Sequence, residues 1–191
     1  MNDPELGRAL LRIARDAIGA QLGFAGDGAV LHEALERPGA TFVTLMKNGE
    51  LRGCIGTLAA VRPLRADVET NAVAAAFRDP RFLPLREVEF QATSVEVSVL
   101  SASEPLAFDD EAHLLAQLRP GVDGVTLEYG RRRATFLPQV WDTFGEPRGF
   151  LEALKHKAGL PAGFWHQRVN VSRYSVTKWK QTEFPSLQAT V

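Results

Sequence analysis

Cysteine is almost missing from this chain: Cys54 is the only one in 191 residues. That excludes an intrachain disulfide framework and a multi-cysteine metal site, and it suits a reducing compartment. Net charge is scarce too. The 22 Lys and Arg stand against 23 Asp and Glu, a formal charge of −1, so no global electrostatic pull toward nucleic acid or an anionic membrane is expected. No apolar run approaches the roughly 20 residues of a membrane span. Met1–Leu10 carries acids and no apolar stretch, so it does not read as a signal peptide. A cytoplasmic location is expected. Walker loop, strand-linked Gly-x-Gly-x-x-Gly, His-Glu-x-x-His and any tight His/Asp/Glu cluster are all lacking, so neither a metal nor a nucleotide cofactor is expected.

What is present is ordinary for a folded chain: 45% apolar and 24% charged residues, enough for one sizeable domain or two small lobes sharing a core. Leu6, Leu10, Ile13, Ala14, Ala17 and Ile18 recur at helical spacing, predicting a helix over Leu6–Leu22 with Asp3-Pro4 as its start and Gly23 as its stop. A loop over Gly23–Gly39 follows, with a short helical turn near Val30–Leu35. Asn48-Gly49 between two alternating apolar runs predicts a hairpin over Ala40–Leu58, because both central residues of a type I′ turn need positive φ. An uninterrupted register would set Val43 opposite Cys54, Thr44 opposite Gly53 and Leu45 opposite Arg52. Phe42, Met46, Leu51 and Ile55 would then form the core face. Arg52 and Cys54 would sit side by side on the more polar one.

A helix is expected over Pro63–Phe77, a rigid loop over Asp79–Leu85 where two prolines bar the helical ladder, and a strand over Thr93–Leu100. A short helix over Glu111–Leu118 comes next. The second half repeats the plan. Val125–Tyr129 and Arg132–Val140 flank a Gly130-Arg131 turn that sets Glu128 opposite Arg133, a helix spans Phe150–Ala158, and a last strand covers about Arg173–Lys178. The fold expected is α+β: antiparallel sheet built from two hairpin–helix–strand repeats, at about residues 40–100 and 122–179, flanked by helices.

Cys54 has two readings. A lone strand cysteine is among the most buried residue types and fills space. Alternatively, Gly53 and Gly56 strip side chains from the strand so that a backbone or ligand can approach, and Arg52 on the same face favours the thiolate. No histidine lies nearby in sequence; His113, His156 and His166 are candidates for a distant base by residue type alone. Arg131–Arg133 with Lys155, Lys157 and Arg168 would make a basic patch beside Trp165, Tyr174 and Trp179, a weak signal for RNA that a solvated turn beside core aromatics explains equally.

Phe42-Val-Thr, Leu51-Arg-Gly-Cys-Ile-Gly-Thr, Asp79-Pro-Arg-Phe, Pro84-Leu85, Val97-Ser98, Gly121 with Gly124, Ala134-Thr-Phe-Leu-Pro-Gln-Val140, Lys157-Ala-Gly159 and Arg173-Tyr174 follow one another in an order that resembles the AMMECR domain family. In bacteria and archaea that family is labelled protein A of the AmmeMemoRadiSam system. The match makes residues 6–180 one domain, with a tail over 181–191. It implies antiparallel sheet in a larger and a smaller lobe, and a modification pathway shared with a Memo-like protein and a radical S-adenosylmethionine enzyme. No reaction comes with it. The family pattern falls on Arg52, Gly53, Cys54, Gly56, Asp79, Arg81, Thr135, Pro138, Lys157 and Arg173. Gln139 stands where some relatives carry glutamate, and no role is assigned to it.

Two functions are therefore expected in competition. In the first, Cys54 is a nucleophile in a cleft with Arg52, Asp79 and Lys157 as catalytic partners. Arg81, Gly53, Gly56, Thr135 and Arg173 then bind a small anionic substrate, since forked guanidinium donors suit a carboxylate or phosphate. In the second, the motif is structural and the chain is a non-catalytic module that binds protein or RNA.

Overall fold

The computed structural model describes residues 3–26, 28, 30–184 and 187. It is an α+β fold of two compact units, one drawn from Met1–Leu100 and Thr177–Val191, the other from Ser101–Val176.

The first unit opens with α1, Pro4–Gln21. The Asp3 carboxylate accepts from the amides of Glu5 (3.0 Å) and Leu6 (3.2 Å), two donors that have no intrahelical partner. A 3-10 turn at Glu33–Glu36 sits slightly later than expected. Strands β1, Pro38–Lys47, and β2, Glu50–Gly56, form the expected hairpin. Asn48 and Gly49 take φ of 53° and 82°, the pair of positive values a type I′ turn requires.

The register departs from the uninterrupted one. Lys47 pairs with Glu50 and Met46 with Leu51, but Leu45 then pairs with Gly53, Thr44 with Cys54 and Val43 with Ile55. Arg52 is the extra residue of a β-bulge, and a one-residue slip moves every later side chain to the other face. The expected core face is corrected with it. Val43 and Leu45 are fully buried, while Phe42, Met46 and Ile55 are half-buried and Leu51 is exposed. Without the bulge Cys54 would lie opposite Val43 in the core; with it, Cys54 lies opposite Thr44 and is half-exposed.

Two-residue β3, Arg62–Pro63, pairs with the start of β1. Helix α2, Leu64–Phe77, starts on Pro63, whose fixed φ suits a helix entrance. One-turn α3, Glu87–Phe90, and strand β4, Thr93–Leu100, follow. The second unit contains β5, Glu104–Pro105; α4, Glu111–Gln117; β6, Gly124–Tyr129; β7, Arg132–Phe136; α5, Trp141–Phe144; α6, Pro147–Lys157; and β8, Asn170–Tyr174. Helix α6 begins three residues before its expected start, on Pro147. The expected last strand is two strands: β8 ends at Tyr174, and β9, Val176–Lys180, returns to the first unit's sheet.

That sheet runs β2-β1-β4-β9, with β3 beside β1. Its buried residues Val43, Leu45, Val95, Val97 and Trp179 share one core with Leu10, Leu11, Ile18, Val68 and Ala72 of α1 and α2. The second sheet runs β5-β8-β6-β7, and its core joins Val125, Leu127 and Val171 to Leu114, Phe150, Leu151 and Leu154. Arg133 pairs with Glu128 across β6 and β7, in the expected register, with Nε 2.7 Å from Oε1. No helix among the described residues is long and apolar enough to cross a membrane.

Candidate functional site

Strand β2 is the edge of its sheet, so every second residue points its backbone N–H and C=O away from β1. At Cys54 both groups are taken by side chains of the loop after α2. The Asp79 carboxylate accepts the Cys54 N–H at 2.8 Å, and Arg81 Nη2 donates to the Cys54 carbonyl at 3.2 Å. Asp79 also takes Arg81 Nε (2.9 Å), Arg81 Nη2 (2.7 Å) and the Arg81 amide (3.1 Å). Its side chain is only 2% exposed against 53% for Arg81. The guanidinium, followed by the Cys54 amide, holds the Asp79 carboxyl well below the usual carboxylate range, against the cost of burial.

Arg52, the bulge residue, turns to α3. Its Nε lies 3.3 Å from Glu89 Oε1, and its Nη2 donates to Glu89 Oε2 (3.2 Å) and to the Leu83 carbonyl (2.9 Å). Lys47 Nζ adds a bond to Glu89 Oε1 at 2.9 Å. Arg52 first, then Lys47, bring the Glu89 pKa down to about 2. The Phe82 ring lies between two guanidiniums, 5.7 Å from that of Arg52 and 5.6 Å from that of Arg81. The Thr44 hydroxyl donates to Cys54 Sγ at 3.3 Å.

The glycines are dictated by close approach. A Cβ on Gly53 would stand 2.2 Å from the Ala75 carbonyl oxygen of α2, and one on Gly56 would meet the Phe42 ring at 2.3 Å and Thr41 O at 2.6 Å. Thr57 ends the stretch by donating to Asp67, 2.8 Å from both carboxylate oxygens. Fully buried Asp67 also accepts from the Thr41 amide and hydroxyl (2.7 Å each), Arg62 Nε (2.8 Å) and Asn71 Nδ2 (3.0 Å). Neither Asp67 nor Glu89 was singled out by sequence, because their partners lie far along the chain.

The remaining expected site residues belong to the second unit and find partners there. Lys157 Nζ donates to Thr135 O (2.9 Å) and lies 4.9 Å from the Phe136 ring centroid. Thr135 Oγ1 bonds Val125 O, Thr126 Oγ1 and the Tyr174 hydroxyl, each at 3.0 Å. Burial raises the pKa of Tyr174. Arg173 Nε lies 3.7 Å from Glu104 Oε2, and Pro138 opens a 3-10 turn. His113 pairs with Asp109 at 3.2 Å, and His166 Nδ1 accepts from the Arg168 amide. In the expected basic patch Arg133 is paired with Glu128, Arg132 donates to Gly159 O, and Lys155 is buried on Glu111. Tyr174 and Trp179 are buried, so neither ring presents a face for a base. Among the described residues no three His, Cys, Asp or Glu side chains gather as a metal site would need.

Such a protein is an α+β chain whose Leu51–Thr57 hairpin strand is held by buried carboxylates. The AMMECR1 family model matches residues 11–179. A Methanothermobacter thermautotrophicus protein is 39% identical over 88% of this chain and 90% of its own, and an Aeropyrum pernix protein is 39% identical over 93% and 79%. Among solved structures, the uncharacterised protein PH0010 from Pyrococcus horikoshii superposes with a TM-score of 0.75 at 31% identity, over 92% of this chain and 91% of that one. The chain belongs to the AMMECR1 family, as its motifs led us to expect.

Proposed function

We propose that the chain is a non-catalytic subunit of a modification pathway, and that the surface around Arg52 docks a protein partner. The resemblance to protein A of the AmmeMemoRadiSam system supplies the candidates: a Memo-like protein and a radical S-adenosylmethionine enzyme, in the cytoplasm. One observation carries this reading. Each polar or glycine position of Leu51–Thr57 is already engaged in holding the fold, with Arg52 on Glu89, Gly53 against Ala75, Cys54 on Asp79 and Arg81, Gly56 under Phe42, and Thr57 on Asp67. A catalytic base needs a carboxylate free to take a proton, and Asp79 has its oxygens filled by four donor contacts.

Around Arg52 stand exposed apolar residues, Leu51 at 42%, Leu83 at 83% and Val88 at 78%, beside the guanidinium-flanked Phe82. Aliphatic and aromatic groups set among arginines are the composition of protein–protein contacts. The paired arginines and scattered lysines of the second unit offer no comparable case for RNA. The test is co-purification with the two pathway proteins. Leu83→Asp with Val88→Asp should abolish capture at unchanged melting temperature, and Cys54→Ser should retain it. Capture unaffected by the double aspartate variant sinks the reading.

A thiol site remains a second reading, favoured by the half-exposure of Cys54 and by the Thr44 hydroxyl donated to its Sγ. Iodoacetamide alkylation across pH decides between them, run beside Arg52→Ala and a denatured control. An apparent pKa well under the roughly 8.5 of a free thiol, raised by Arg52→Ala, supports the enzyme. An ordinary profile, or reaction only after denaturation, supports the binding subunit.

A further inference from the structure

The second sheet ends on β7, whose outer side has no neighbouring strand. Ladder bonds alternate along an antiparallel pair. Tyr129 and Arg132 flank the two-residue turn and close the ladder, so Leu127 with Ala134 and Val125 with Phe136 exchange the next bonds. Arg133 and Thr135 therefore turn their N–H and C=O groups outward, away from β6. One side chain marks that direction: Lys157 Nζ donates to the Thr135 carbonyl at 2.9 Å. The Arg133 N–H and C=O and the Thr135 N–H have no hydrogen-bond partner among the described residues. On the β2 edge the outward groups of Cys54 are closed by Asp79 and Arg81. On β7 only the one carbonyl is covered.

This edge is also cationic. Arg131, Arg132, Arg133 and Lys157 are all exposed. Glu128 holds Arg133, whereas Arg132 and Lys157 donate to the carbonyls of Gly159 and Thr135. Among the described residues no carboxylate pairs with Arg131, Arg132 or Lys157. Period two puts Arg132 on the same face as Ala134, which shares a core with Leu151 and Leu154 of α6, the helix that ends on Lys157. A second copy of the chain is a poor occupant, because β7 against β7 sets one Arg131–Arg133 run against another. Nucleic acid would meet the same cations but has no amide row for the strand backbone. An extended peptide supplies both, with main-chain bonds for affinity and alternate side chains for selection. We infer that β7 takes up an acidic peptide as a further antiparallel strand, pairing with Arg133 and Thr135 and setting carboxylates at every second position toward Arg132 and Lys157.

The test titrates the full chain with acetyl-Thr-Glu-Val-Glu-Val-Glu-Thr-amide, read by calorimetry and by backbone hydrogen exchange. Binding should slow exchange at the Arg133 and Thr135 amides about tenfold or more, and leave Ala134, already paired with Leu127, unchanged. The same peptide with lysine for glutamate should bind about tenfold more weakly or worse. N-methylation of the valines, whose N–H groups would face β7, should abolish binding, and N-methylation of the glutamates should be tolerated. Arg133→Pro removes an N–H that the ladder does not use, so it should abolish binding at a near wild-type melting temperature. The methylated peptides test that same bond without altering the chain. Arg131→Gln with Arg132→Gln should lower affinity about tenfold. Equal binding of the lysine peptide overturns the inference, as does tolerance of methylated valines, protection that gathers elsewhere, or no binding at millimolar peptide. A uridylate oligomer that displaces the peptide at equal concentration also overturns it, since a cationic patch is then enough.

Discussion

Asp79 accepts the amide N–H of Cys54 at 2.8 Å while Arg81, gripped by the same carboxylate, donates to the carbonyl of Cys54 at 3.2 Å. A two-residue pair from a loop thus occupies the hydrogen-bonding positions a further strand would fill on the β2 edge. Removing the buried member should cost most. Asp79→Ala strands the Cys54 amide and the Arg81 charge, and should lower unfolding free energy by about 3 kcal/mol. Arg81→Ala, at the exposed member, should cost about 1–2 kcal/mol. Because the two act together, the double variant should lose less than their sum in urea unfolding.

Acid should weaken the same region. Asp79 and Glu89 have depressed pKa values in the folded chain, Glu89 at about 2 against an ordinary 4.5. Carboxylates of this kind stabilise the fold fully above their unfolded pKa, and the contribution drains away as pH falls through the folded one. Stability should therefore be level above about pH 5.5 and fall steeply from about pH 4.5 to 2. In Glu89→Gln that fall should be shallower, although the variant is weaker at pH 7. A fall of wild-type steepness in Glu89→Gln would mean that the Arg52 and Lys47 pairs do not carry the acid sensitivity.

Gly53 offers a sharper contrast. Its would-be Cβ meets a helix carbonyl oxygen at 2.2 Å, an atom that cannot swing aside without moving α2. Gly53→Ala should cost about 3 kcal/mol, at the upper end of overpacking effects. Gly163→Ala, where nothing lies within 4 Å, should change stability by less than about 0.5 kcal/mol. Chemical unfolding of the two variants side by side checks this.

Local chemistry was legible in the sequence. Asn48-Gly49, the α1 cap at Asp3 and the Glu128–Arg133 register follow from turn geometry and spacing, which neighbouring residues decide. What depended on distant packing was not. Both faces of β1 are apolar, so alternation could not say which meets α2, and Gly53 beside the bulge at Arg52 reads equally as room for a close approach. The break at Ser175 was hidden inside a continuous alternating run. Asp67 meets Thr41 across 26 positions and Glu89 meets Arg52 across 37. The Cys54 motif could be seen as a motif, yet its carboxylate partners became visible only when the loop folded back on it.

Lys155 in the second unit tests whether a buried charge is a requirement or a substitute for packing. Its side chain is 1% exposed, and Nζ donates to Glu111 Oε1 at 2.6 Å and to Ala162 O at 3.1 Å, 5.6 Å from the Trp165 ring centroid. Lys155→Ala removes the cation and leaves a void in the core, so a loss of about 3–4 kcal/mol is expected. Lys155→Met keeps most of the volume. Glu111, 27% exposed, can then turn to water, and the loss should be about 1–2 kcal/mol. Adding Glu111→Gln to Lys155→Met should recover part of that, since no lone charge remains beside the apolar chain. The wild-type pair, being enclosed, should resist 0.5 M salt far better than the exposed Arg133–Glu128 pair. If Lys155→Met unfolds the chain as severely as Lys155→Ala, the ammonium is needed for its bonds to Glu111 and Ala162, and filling the space is not enough.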